Sequence, residues 1–256
     1  MSLKQTAVIL LSALTLAGIG CKKSGPAAPA QNYVAIDTAT AGTISGTIHY
    51  QGVPPARIPI DMGQDPVCSM ADSNLTEQYV IHNGGLANVF LYVKSGLGDK
   101  LYAIPTTPVV MDQKGCRYTP HVVGVRVGQP IRFTNSDSTM HNVHMTPTLG
   151  TNQAADISQA PNDTAGDVRV LAAPELMIPV RCNNHPWMEA FINVVDNPFY
   201  AVSDADGHFT IHGLPAGTYT IEAVHEVLGK QTATVTVASQ QTATADFTFS
   251  GTGTAK

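Results

Sequence analysis

Charge is what this chain has least of. Only 13% of its 256 residues are Asp, Glu, Lys or Arg, and the formal net charge is −5. With 14 basic residues against 19 acidic ones, no basic stripe exists to neutralise phosphates, which excludes a nucleic-acid binder. Long apolar runs are missing as well. The run Ala7 to Leu16 falls short of the roughly 20 residues that a spanning helix needs. No Cys-x-x-Cys, Gly-x-Ser-x-Gly or Gly-rich phosphate loop occurs, which removes dithiol redox enzymes, serine hydrolases and nucleotide binders. The carboxylates are dispersed, with no pair marked for acid/base work. Asp204, Asp206 and Gly207 suggest a calcium loop, but its twelfth position is Pro215, so they read as a polar hairpin turn. The chain is therefore expected not to be an enzyme in its own right.

What is present favours strands. The chain is rich in Thr and Val, with 22 Gly and 17 Pro, a composition of sandwiches rather than helical bundles. The length suits one or two domains with real cores, and the expected class is all-β.

The most informative stretch is Cys182, Asn183, Asn184, His185, Pro186, Trp187, Met188. It sets a thiolate, an imidazole and a thioether at the spacing C-x-x-H-x-x-M, the soft and borderline donors that copper prefers; zinc or an empty site are the competing readings. The fourth donor should lie upstream, in Ser138, Thr139, Met140, His141, Asn142, Val143, His144. Turn-like Asn135 to Ser138 precedes this run, and its β-branched and polar content favours a strand. Along a strand, residues three apart face opposite sides. His141 and His144 cannot then both reach one metal, and His141 is the choice. The segment Val125 to Phe133 alternates and turns at Gly128 like a strand hairpin. Pro147 to Asp167 reads as a long loop beside the site.

With these runs in view, Val109 to Val195 resembles the cupredoxins, blue copper proteins of the amicyanin and plastocyanin type. The match rests on Val125 to Gly128, on Met140 to His144, and on the loop Cys182 to Met188. The resemblance implies a Greek-key sandwich whose His141, Cys182, His185 and Met188 bind one type 1 copper. It also implies that the Asn142 amide hydrogen-bonds the thiolate, with Pro186 and Trp187 beside the ligands. Two positions depart from the pattern: Trp187 takes an aromatic loop position, and Met140 rather than Pro precedes the first His. Both bear on potential and partner choice. His185 would present its outer edge to solvent beneath a collar of Met145, Pro147, Pro186 and Trp187, as an electron port; ordinary loop packing is the other reading. Arg181 and Asn183 flank the Cys, and no His-x-His occurs, which argues against oxygen reduction.

The rest of the chain divides around that stretch. Residues 1–20 read as a signal peptide, and Ala17 to Cys21 resembles a bacterial lipobox, with Gly18 where Leu is common. Cys21 would carry lipid, and residues 21–41 would form a flexible tether. Cys68 and Cys116 remain; an oxidising periplasm would let them pair, adding about 4 kcal/mol of stability in the chain-entropy model. A second metal site from Cys68, Met70, Cys116 and His121 is the alternative. Gly42 to Pro55, together with Val202 to Tyr219, resembles a carboxypeptidase regulatory-like, transthyretin-like sandwich. The expected order is 42–104 (first part of that sandwich), 105–196 (copper domain), 197–250 (second part) and 251–256 (tail), with the copper domain inserted at a hairpin. Beads on a string is the alternative.

The functional expectation is a periplasmic, lipid-anchored carrier of single electrons. Its partners would be redox proteins such as a cytochrome or dehydrogenase. The reading from another class is an envelope-surface sandwich that binds carbohydrate or protein, with copper structural or absent.

Overall fold

The computed structural model describes residues 32–251 apart from Ser73. Residues 1–20, expected to be a signal peptide, Cys21 and most of the tail lie outside the described residues. The first strands are β1 (Gly42–Gln51), β2 (Ile81–His82), β3 (Gly85–Leu86) and β4 (Phe90–Ser95). Nine more follow: β5 (Val109–Gln113), β6 (Tyr118–Thr119), β7 (Val122–Arg126), β8 (Pro130–Asn135), β9 (His141–Met145), β10 (Ala155–Gln159), β11 (Asp167–Val170), β12 (Glu175–Arg181) and β13 (Glu189–Val195). The last six are β14 (Tyr200–Val202), β15 (His208–Leu214), β16 (Gly217–His225), β17 (Gly229–Val237), β18 (Thr242–Thr244) and β19 (Phe247–Ser250). Among the described residues the only helical element is a 3-10 turn at Cys68–Met70, and no helix is long and apolar enough to cross a membrane.

The strands pair into four sheets. Two draw on the start and the end of the chain: β15-β1-β3-β2, with β18 and β19 parallel to β1, and β14-β4-β16-β17. Ile44, Ile48, Leu91, Val93, Phe199, Phe209, Ile221, Phe247 and Phe249 fill the core between them. Along β15 and β19 they alternate with exposed residues because successive strand side chains point to opposite faces. The other two sheets, β10-β9-β12-β13-β7 and β11-β8-β5-β6, use only the middle of the chain. Met111, Val125, Ile131, Phe133, Val143, Ile178, Val180 and Ile192 form their shared core.

A third apolar cluster joins the two sandwiches. Phe90 and Tyr200 from one pack with Val122, Phe191 and Val195 from the other. Gly124 permits this approach, since a Cβ there would stand 2.5 Å from the Tyr200 ring.

Three expectations need correction. Val125 to Phe133 is not a hairpin: β7 pairs with β13 and β8 with β5, both parallel. The turn at Gly128 (φ 81°) carries the chain from one sheet to the other. Alternation marks strands but does not name their neighbours. Residues 33–41, expected in the tether, lie against the body: Val34 N–H donates to the Leu101 carbonyl at 2.7 Å and Ser239 Oγ to the Thr40 carbonyl at 3.2 Å. The stretch 147–167 is not all loop, because β10 within it pairs with β9.

Where β16 turns into β17, His225 is 2% exposed, and its Nδ1 accepts the Val227 and Leu228 N–H groups at 3.2 and 3.3 Å. Burial and the nearby His121 cation lower its pKa from 6.5 to about 4. Burial would lower the His121 pKa, but Glu226 (2.7 Å) and Glu77 (3.8 Å) outweigh it and raise it. The unfolded chain therefore takes up a proton at His225 below pH 6.5, while the folded chain resists until about 4. The stability due to neutral His225 is complete above the higher value and is lost on descent through that window. His225→Gln should remove about 3 kcal/mol of the stability difference between pH 7 and pH 4, read by chemical denaturation at each pH.

Candidate metal centre

His141 begins β9, and Cys182 follows the last residue of β12, which pairs with β9 through Val180↔Met145 and Arg181↔His144. The sheet thus brings together residues some 40 positions apart in the chain. The loop then folds tightly: Cys182 N–H donates to the Met188 carbonyl at 3.3 Å and Met188 N–H to the His185 carbonyl at 2.9 Å. One ligand atom each from His141, Cys182 and His185 lies within 4.8 Å of the others, and all three residues are buried. Met188 is 1% exposed and shares an apolar cluster with Cys182.

The orientation of the rings follows from their partners. His141 Nε2 lies 2.9 Å from Asp137 Oδ2, and His185 Nε2 lies 3.3 Å from Asp65 Oδ2. A carboxylate only accepts, so each ring donates from Nε2 and turns its Nδ1 to the interior. The two Nδ1 atoms are 2.9 Å apart, and Cys182 Sγ is 3.6 Å from that of His185. Without a metal the His141 proton sits among these three buried atoms, and a metal cation can take its place. Their softness fits copper.

Ionisation agrees with this. Burial would raise the Cys182 pKa, but His141 and the backbone N–H groups of Asn184, Asn142 and His185 outweigh it and lower the pKa, favouring thiolate. Burial would likewise lower that of His141, yet Asp137 and Cys182 lift it to about 9. In His185, burial and the His141 charge prevail over Asp65, and the pKa falls. Asp65 is lowered to about 2, because Thr139, the Cys68 and Val67 amides and His185 more than offset its burial.

The sequence-derived residues are placed as follows. The Asn142 amide is among the backbone N–H groups that lower the Cys182 pKa. Its side chain donates to Asp156 at 2.7 Å and accepts the Asn183 N–H at 3.3 Å, tying the loop to β10. Trp187 stacks obliquely on His185, ring centroids 5.1 Å apart, and its Nε1–H donates to the Cys116 carbonyl at 3.1 Å. Pro186 is exposed. His144 lies outside the cluster, bonded through Nδ1 to Asn183 at 2.9 Å. Cys68 and Cys116 form a disulfide with a Cα–Cα distance of 5.6 Å. That removes both thiols from the alternative metal site, whose Met70 is 79% exposed.

One expectation fails at the loop. His185 does not present its edge to solvent: it is 4% exposed, and Met145, expected in the collar, is 1% exposed. The segment carrying Asp65 and Cys68 covers the ring instead, with Cys68 Sγ 3.9 Å from His185 Nε2. What stays open is a cleft of about 380 Å³ lined by Gln64, Asp65, Thr139, Met140, Asn184 and His185. Asp65 and Asp137 escaped the sequence reading. Asp137 sat in a run read as a turn, and Asp65 precedes His185 by 120 residues.

A sequence model of the carboxypeptidase regulatory-like domain matches residues 182–250, which run from the Cys182 loop to the end of β19. No curated protein matches the chain. Similar solved structures include amicyanin from Paracoccus versutus, 18% identical over 41% of this chain and 97% of that one, TM-score 0.31. A purple cupredoxin from Nitrosopumilus maritimus is 20% identical over 34% and 99%, TM-score 0.27. A copper-containing nitrite reductase from Thermus scotoductus is 18% identical over 40% of this chain, TM-score 0.31, and the chain spans only 26% of its length.

Proposed function

We propose that this chain is an exported, lipid-anchored type 1 copper protein that carries single electrons between periplasmic redox proteins, a cytochrome or dehydrogenase among them. The observation that supports this most is the meeting of His141 Nδ1, His185 Nδ1 and Cys182 Sγ in one buried pocket, with Met188 buried close by. Copper held there would supply a one-electron couple. The chain's own residues keep the donors in place through that change: Asp137 and Asp65 fix the two rings, backbone N–H groups lower the pKa of the sulfur, and all three donors are buried. Donors fixed before and after electron transfer suit a carrier, whose coordination should hardly change.

The test is absorption. Cu(II) added to the metal-free protein is expected to give an intense blue or green band that bleaches on reduction. A colourless copper adduct would overturn the proposal.

A further inference from the structure

We infer that Asp65 is a positioning residue for His185, and that the Cys68–Cys116 disulfide is the latch that keeps it there. The inference rests on the copper reading above and extends it to a segment outside the strands that carry the ligands. Asp65 is bound on both oxygens. Oδ1 accepts the Val67 and Cys68 N–H groups at 2.7 and 3.1 Å; Oδ2 accepts Thr139 Oγ1 at 2.7 Å and faces His185 Nε2 at 3.3 Å. The other half of the disulfide is wired in the same way. Asp137, which holds His141, accepts the Gly115 and Cys116 N–H groups at 2.7 and 2.8 Å. Each half-cystine therefore donates its amide to the carboxylate that orients one histidine, and the S–S bond joins the two backbone segments that make those hydrogen bonds.

The segment has few other means of staying in place. Met62, Cys68 and Cys116 form a small buried cluster with Ile60, Ala71 and Trp187 at its edge. Asn74 Nδ2 donates to the Gly115 carbonyl at 2.8 Å, and Arg117 Nη2 donates to the Leu75 carbonyl at 3.3 Å. Without the disulfide, Asp65 would rest on a long loop with little apolar anchorage. A carboxylate on the far nitrogen of a metal-binding imidazole fixes the ring and raises its basicity. It therefore favours the more highly charged ion and lowers the reduction potential.

The test uses the full chain as wild type, Asp65→Asn, the double variant Cys68→Ser/Cys116→Ser, and the triple variant. Copper affinity is read by competition with a chromophoric chelator, the site by visible absorption and EPR hyperfine splitting, and the potential by spectroelectrochemistry. Circular dichroism of the metal-free proteins establishes folding. Asp65→Asn should weaken copper binding about 10- to 100-fold and raise the potential. The double variant should do the same, and the triple should be no worse than either, because residues acting as one unit are not additive. Should the double variant fail to fold, affinity and potential in Asp65→Asn decide. A wild-type band unmoved in affinity, spectrum and potential by Asp65→Asn overturns this inference alone, as do losses that multiply independently. A wild type without an intense band overturns the copper reading and this inference with it.

Discussion

Cys182→Ala is expected to abolish the intense visible absorption of the copper-loaded protein, while His144→Ala keeps it. The sulfur is the donor whose charge transfer to Cu(II) gives such a band, and no second thiol stands by: Cys182 is the one free cysteine among the described residues. The loss should not come from unfolding. Cys182 is 4% exposed, and trimming one buried sulfur costs on the order of 1 kcal/mol, well inside ordinary domain stability. His141 and His185 keep their carboxylate partners in the variant, so Cu(II) can still bind, weakly and without strong colour. His144 faces the other way, bonded to Asn183. A coloured Cys182→Ala protein, or a colourless His144→Ala protein, would reverse the choice of ligands; absorbance titration with Cu(II) reads both.

The same residues show what could be read from the sequence. The Cys182 to Met188 spacing is local, so the loop was legible directly, and alternation along a strand was enough to separate His141 from His144. Counting cysteines brought out Cys68 and Cys116. The two carboxylates were not legible, for different reasons. Asp137 is bracketed by Ser residues in a run that any turn would favour, and its bond to His141 depends on how the strand leaves that turn. Asp65 meets His185 only because a segment from between β1 and β2 crosses onto the other sandwich, where the disulfide and the Met62 cluster hold it. Pairing partners were hidden in the same way. The alternation of Val125 to Phe133 marks two strands, yet both are buried and parallel to remote neighbours, β13 and β5. The covered edge of His185 follows from the crossing segment too, and with it the loss of the expected port.

Arg126→Met is expected to cost about 3 to 4 kcal/mol of stability and leave copper binding unchanged. Arg126 ends β7 and is 4% exposed, and its guanidinium is spent on backbone carbonyls. Nη1 donates to Tyr102 at 3.1 Å and to Ala103 at 2.8 Å, and Nη2 donates to Asp196 at 2.7 Å. Residues 102–103 lie where the chain passes from β4 to β5, and Asp196 where it passes from β13 to β14. One side chain thus clamps both crossings between the sandwiches. Burial lowers its pKa, opposed by Tyr200 and Asp196. Methionine fills similar space but leaves three carbonyls without their charged donor, each bond being worth roughly 1.5 to 3 kcal/mol before water takes up part of the deficit. The metal pocket should not notice. Arg126 pairs with Val195 at the end of β13, and Met188 adjoins the start of that strand, on the order of 20 Å away. Denaturant unfolding of the metal-free protein and copper titration of the folded one separate the two effects; a stable Arg126→Met protein, or one with weakened copper binding, would show that the crossings are held in some other way.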